Sequence, residues 1–192
     1  MGCVMSDEIE EIFIKSGTVL KGHFLLTSGL HSPVYWEKFK ILQHPEYTGQ
    51  LCEMIAAVYR DKDIQVVAGP TTGGIILAFE VARRLGVRSI YAEKEGNERI
   101  FRRSLTISPG ERVLVVDDIL TTGGSVEQVL AAVRKLGGNV IGVGILVDRS
   151  EAKLDFGVPL FSCLRSKTIT YKPEACPLCA AGVPLVKPGG GT

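Results

Sequence analysis

Residues 112–125 read RVLVVDDILTTGGS, and the fold turns on this stretch. Val113 to Val116 form a short aliphatic run, which suits a strand buried on both faces, as in a parallel sheet. Asp117 and Asp118 follow it, then Thr121, Thr122, Gly123, Gly124 and Ser125, then a helix-like stretch from Val126 to Leu136. This order predicts an α/β chain whose ligand sits at the carboxyl ends of the strands. Glycines let the backbone approach a phosphate and point its amides inward, and the following helix adds its positive end. The hydroxyls of Thr121, Thr122 and Ser125 are further donors. A phosphate would repel two adjacent carboxylates. Asp117 and Asp118 are therefore expected to face sugar hydroxyls or to act through a divalent cation, and the ligand expected is a sugar phosphate. The plain alternative is an ordinary strand-to-helix connection with a solvated acidic pair. A Walker A loop and a G-x-G-x-x-G fingerprint are both absent from this position.

The pattern repeats upstream. Ile64 to Ala68 is a buried strand by composition, Gly69-Pro70-Thr71-Thr72-Gly73-Gly74 is a turn able to offer amides to a diphosphate, and Ile75 to Leu85 is a helix stopped by Gly86. Val87 to Ala92 is the next strand. It leads into the charged stretch 93–103, which reads either as a solvated hairpin or as a lid whose cations meet a departing diphosphate. Val140 to Val147 is another buried strand with Asp148 and Arg149 at its carboxyl end, and an edge strand is expected from Gly157 to near Cys163. Nearer the amino end, Ser6 is a candidate cap for a helix with an Ile9, Ile12 and Phe13 stripe. Phe24–Leu26 and Val34–Trp36 read as short strands around a Ser/Gly/Pro turn. Pro45 to Tyr59 reads as a helix with Leu51, Ile55 and Val58 as its apolar face.

At 192 residues one domain is expected, with a hood at about 1–40 that takes a C-terminal contribution, and a core at about 60–162. A formal net charge of +1 gives no reason to expect nucleic acid or a membrane as partner. The acidic start, MGCVMSDEIEE, is unlike a secretory signal, and Met1-Gly2 with Ser6 matches a myristoylation pattern only loosely. A cytoplasmic setting with reduced cysteines is expected.

The central stretch resembles the phosphoribosyl-diphosphate motif of the type I phosphoribosyltransferases. That resemblance implies their fold: a mostly parallel central sheet flanked by helices, with a small N-terminal hood. It also implies that Asp117 and Asp118 hold the ribose, that Thr121, Thr122, Gly123, Gly124 and Ser125 wrap the 5-phosphate, and that Thr71, Thr72 and Gly73 belong to a diphosphate loop often carrying a non-proline cis peptide. Phe24, Ser28, Gly29, Ser32, Pro33 and Tyr35 resemble the hood of the orotate phosphoribosyltransferases, in which Tyr35 and Trp36 would stack on the pyrimidine. Either ring reads equally as plain core. Lys94 and Glu95 match the lid of that family, while Asn97 replaces its distal catalytic lysine. Arg102 or Arg103 is expected to do that lysine's work, with Arg99 nearby. Arg149 matches the arginine that pairs with the orotate carboxylate, its alternative being a surface ion pair.

The resemblance implies transfer of the 5-phosphoribosyl group from 5-phospho-α-D-ribose 1-diphosphate to orotate, with Mg²⁺ as cofactor and a homodimer in which each lid serves the opposite site. A purine or xanthine transferase and a non-catalytic regulator are the rivals. No residue is assigned as a metal ligand. Cys176-Pro177-Leu178-Cys179 has knuckle-like spacing, but zinc takes four ligands. Cys3, Cys52 and Cys163 are the candidate extras, against a redox pair or simple packing. The ending, with Gly182, Pro184 and Lys187-Pro188-Gly189, also resembles that of a short-loop orotate branch.

Overall fold

A computed structural model of the chain describes residues 3–167 and 169–188. Met1, Gly2 and Gly189, on which the myristoylation pattern and the end of the tail motif fall, lie outside the described residues. The chain forms two compact units, one of residues 1–43 with 167–192, the other of residues 44–166.

The larger unit opens with α3 (Pro45–Tyr59), preceded in the chain by α1 (Cys3–Lys15), β1 (Val19–Leu25), β2 (His31–Trp36) and α2 (Lys38–Leu42) of the smaller unit. It continues through β3 (Val66–Pro70), α4 (Gly73–Leu85), β4 (Arg88–Glu95), β5 (Glu98–Phe101), β6 (Arg112–Leu120), α5 (Gly124–Lys135), β7 (Asn139–Asp148) and β8 (Leu160–Arg165). Among the described residues these strands form one sheet in the order β5-β4-β3-β6-β7-β8, parallel except where β5 turns back on β4. This is the mostly parallel sheet expected from the apolar runs.

Burial explains the centre. Val113, Leu114, Val115 and Val116 are fully buried. At roughly 1.5 kcal/mol or more per buried side chain, they outweigh any surface ion pair of the unit. On one face α5 presents Val126, Val129, Leu130 and Val133, at helical spacing, to Val113, Val115, Val143 and Ile145. On the other face α3 sets Ile55 and Tyr59 against Gly144 and Gly142, where any side chain would strike them. The α3 face departs from expectation: Val58 is exposed and Tyr59 is buried. A phenol can be buried here because its hydroxyl donates to the carbonyls of Val143 (3.0 Å) and Pro159 (3.2 Å).

The smaller unit is an antiparallel β1/β2 hairpin with α1 beside it. Its strands are longer than the sequence suggested, and they are tied to the tail. His31 and Tyr171 exchange backbone hydrogen bonds, Leu25 N–H donates to Val186 O, and Val186 N–H donates to His23 O. A short 3₁₀ turn (Pro173–Ala175) and α6 (Pro177–Ala180) complete it. No helix among the described residues is long and apolar enough to cross a membrane.

Candidate active site

The acidic pair lies inside β6, not after it. The strand runs on to Leu120 because pairing with β7 continues, with Asp117 opposite Ile145 and Leu120 opposite Asp148. Both carboxylates are buried. Local hydrogen bonds orient them: Asp118 N–H donates to Asp117 Oδ1 (2.8 Å) and Ile119 N–H donates to Asp118 Oδ1 (2.7 Å). Thr121 and Thr122 are exposed beyond them. Gly123 then takes φ +85, and a Cβ there would come within 3.0 Å of Leu154 Cδ1, so glycine is required on both counts. Helix α5 starts at once, leaving first-turn amides at Gly124 and Ser125 to face a ligand.

The second turn follows the neighbouring strand, β3. Its Gly69 faces the backbone of Gly74 so closely that a side chain at Gly69 would collide with it. That contact draws the start of α4 onto the strand. The Thr71–Thr72 peptide is cis, which the sequence left open, and Thr71 N–H donates to Ala92 O (3.0 Å). Thr72 is exposed and Gly73 is buried at the first position of the helix.

The charged stretch 93–103 forms a β4/β5 hairpin with a two-residue turn at Gly96-Asn97, where Gly96 has φ +56. Gln128 of α5 donates to Asn97 O (2.9 Å) and holds the tip. Lys94 stands opposite Arg99 in the ladder, so the two share one face of the hairpin. Arg99 is buried and reaches both turns. Its Nη1 donates to Thr71 O (3.3 Å), Thr71 Oγ1 (3.2 Å) and Ala92 O (3.2 Å), and its Nη2 donates to Ser125 Oγ (3.4 Å). Burial pulls this guanidinium below its ordinary range, and the charge of Asp117 pushes it back. The sequence marked Arg99 only as a nearby cation. Its partners are 28 and 26 residues away, and no local pattern announces them.

Arg102 and Arg103 are placed differently. Arg102 pairs with Glu95 (2.6 Å) and Arg103 with Glu93 (3.2 Å), both in solvent. Arg149 follows β7 at the same carboxyl edge of the sheet, its N–H donating to Leu120 O (2.8 Å). Beside it Asp148 Oδ1 accepts from Ser150 Oγ (2.6 Å). Tyr35 and Trp36 belong to the smaller unit. Trp36 is buried edge-on against Phe13 (5.3 Å between centroids), and Tyr35 is half-buried against Phe24 (5.7 Å).

The cysteines divide in the same way. Cys52 and Cys163 are buried in the larger unit, where burial pushes both thiols up to about 12. Cys176 and Cys179 instead meet His23 and His31, which the sequence reading did not single out.

Comparison with known proteins agrees with this geometry. The phosphoribosyl transferase domain family matches residues 40–170. The orotate phosphoribosyltransferase of Caldanaerobacter subterraneus subsp. tengcongensis is 53% identical over 95% of this chain and 96% of its own. That of Desulforamulus reducens is 50% identical over the same shares. The crystal structure of orotate phosphoribosyltransferase from Aeropyrum pernix superposes with a TM-score of 0.68 at 30% identity, covering 82% of this chain and 93% of that one. With a buried acidic pair, two small-residue turns and a cation joining them on adjacent strands, the chain belongs to the orotate phosphoribosyltransferases of the phosphoribosyl transferase domain family.

Proposed function

We propose that this chain transfers the 5-phosphoribosyl group of 5-phospho-α-D-ribose 1-diphosphate to orotate. The bond from C1′ to the diphosphate breaks, with its electron pair leaving on the diphosphate. N1 of orotate forms the new bond and loses its proton. The observation that carries the reading is Arg99, a buried cation shared by the Thr71 turn and Ser125. A buried guanidinium with long hydrogen bonds to neutral groups gains most from an anion placed between those turns.

In this reading Thr71, Thr72 and Gly73 receive the diphosphate, and Thr121, Thr122, Gly123, Gly124 and Ser125 receive the 5-phosphate. Asp117 and Asp118 hold the ribose hydroxyls and steady positive charge as it grows at C1′. Lys94 shares the face of Arg99 and is the second cation for the leaving group. Arg102 and Arg103 join it when their ion pairs open, which costs about 1 kcal/mol or less for exposed pairs. Arg149 takes the orotate carboxylate with its planar fork.

Mg²⁺ fits the donor set. Asp117 and Asp118 would present carboxylate oxygens on the side of the ribose hydroxyls, and hard oxygen donors are what this ion prefers. When bound, it supplies charge that neutralises the diphosphate. A cytoplasmic homodimer is the assembly proposed.

The test is incubation with the phosphoribosyl donor, Mg²⁺ and, separately, orotate, uracil, adenine, hypoxanthine and xanthine. Orotate alone should be consumed, with one diphosphate released per nucleotide formed. Consumption of a purine in its place, or of no base, would refute the proposal.

A further inference from the structure

The smaller unit holds four side chains that the transfer reaction does not use. His23 and His31 come from the β1/β2 hairpin, and Cys176 and Cys179 come from the tail more than a hundred residues later. One ligand atom from each lies within 4.8 Å of the other three. His23 Nε2 is 2.9 Å from His31 Nδ1, 3.5 Å from Cys176 Sγ and 3.7 Å from Cys179 Sγ, and Cys179 Sγ is 3.3 Å from His31 Nδ1. A tetrahedral zinc with bonds of about 2.05 Å to nitrogen and about 2.3 Å to sulfur sets its ligands roughly 3.3–3.8 Å apart. Three of the four separations match that edge length to within a few tenths of an ångström. The histidine pair is tighter and would spread slightly around an ion.

The surroundings favour a metal over a chance cluster. His23 Nδ1 lies 2.8 Å from Val183 O, a carbonyl that can only accept, so this nitrogen carries the proton and donates. The Nε2 lone pair is thereby turned toward the other three groups, the outer support that metal-bound histidines characteristically have. His23, His31 and Cys176 are buried and Cys179 is exposed. The backbone is fastened on both sides of the ligands: His31 pairs with Tyr171, Val186 N–H donates to His23 O, and Ser32 Oγ donates to Ile169 O (2.8 Å). A unit on the order of 70 residues, split between the two ends of the chain, has the kind of small core that a staple commonly secures.

We propose that His23, His31, Cys176 and Cys179 bind a structural Zn²⁺ that pins the C-terminal tail to the hood hairpin. Four protein ligands of mixed nitrogen and sulfur type close the coordination sphere and leave no open position for chemistry. Mg²⁺, proposed for the transfer, would instead call for hard oxygen donors.

The full-length chain, without a histidine tag and purified under reducing conditions in zinc, should carry about one zinc per chain by elemental analysis. Replacing zinc by Co²⁺ should give the strong visible bands of a four-coordinate ion, with thiolate charge transfer in the near ultraviolet. The C176S/C179S variant should lose both signals, while Cys179→His, which keeps four ligands, should retain the ion. Chelation should lower the unfolding midpoint by roughly 10 °C, and added zinc should restore it. Metal-free protein with reactive or disulfide-paired Cys176 and Cys179 would overturn the proposal. So would full zinc retention in the double variant, or a six-coordinate cobalt spectrum.

Discussion

The turns after β3 and β6 leave neighbouring strands of one sheet, yet they differ in one respect, the acidic pair. The first has hydroxyls at Thr71 and Thr72 but no acid. Gly69 packs on Gly74, the helix begins immediately, and no carboxylate stands in the turn. The second carries two buried carboxylates in the strand and three hydroxyl side chains before and into its helix. Amides and hydroxyls without acids suit a polyanion. Carboxylates suit a group with hydroxyls to donate or positive charge to stabilise. The proposed donor has both kinds of end, a diphosphate and a ribose, and Arg99 contacts both turns.

That contrast can be broken most severely at the acidic pair. Replacing Asp117 and Asp118 together by Asn removes the charge but keeps the size, and kcat/KM should fall roughly 100-fold or more. The loss should lie mainly in kcat, because charge at C1′ develops on the way to the transition state. Unchanged turnover would dissociate the second turn from the sugar.

Arg99→Lys comes next. A lysine keeps one charge but loses the fork that touches Thr71 and Ser125 at once. At 1.5–3 kcal/mol for a hydrogen bond to a charged group, kcat/KM should fall about 30-fold with the fold intact. Stopped-flow binding should show weaker donor affinity. Wild-type kinetics would mean that Arg99 serves only to hold the hairpin. The exposed pair differs. Arg102→Ala or Arg103→Ala should lower turnover about tenfold if these cations reach the leaving group. If both variants keep normal kinetics, the leaving group belongs to Lys94 and Arg99.

How legible each region was follows from how its residues are spaced. Asp117 to Ser125 are contiguous, so the order of acids, hydroxyls and glycines could be read directly. The turn at Thr71 to Gly73 was legible as a turn for the same reason, and so were the apolar runs that became β3, β6 and β7. The continuation of β6 through Asp118 was not. It depends on pairing with β7 and on self-made hydrogen bonds that let carboxylates sit in a strand. Tyr59 was passed over for Val58 because the carbonyls that satisfy its hydroxyl come from Val143 and Pro159, far along the chain. The histidines are the extreme case. His23 lies 153 residues from Cys176, so only the folded hairpin and tail bring them together. Cys176 and Cys179 gave half of the cluster a local signal, and the two histidines, eight residues apart in a hairpin, were the half left unread.

The helices behind the two turns also differ in what braces them, and this gives the smallest effect. Helix α5 rests on its apolar face. Helix α4 adds a charge network to α3, in which Glu80 accepts from Arg83 (2.8 Å) and Arg84 (2.8 Å), and Arg84 donates to Glu53 (2.7 Å). The hydrogen bond from Arg83 holds the Glu80 carboxyl below its ordinary value, helped by Arg84 and opposed by burial. A depressed carboxyl adds stability that is fully present above the unfolded value of 4.5 and is lost as pH falls through the lower folded value. Glu80→Gln should therefore cost about 1 kcal/mol or less near neutral pH, and the difference from wild type should shrink once wild-type Glu80 is itself protonated. Urea midpoints of the two proteins, measured across the acid range, test this. A gap that stays constant with pH would show that Glu80 acts through packing, and that the first turn is braced by the Gly69–Gly74 contact rather than by charge.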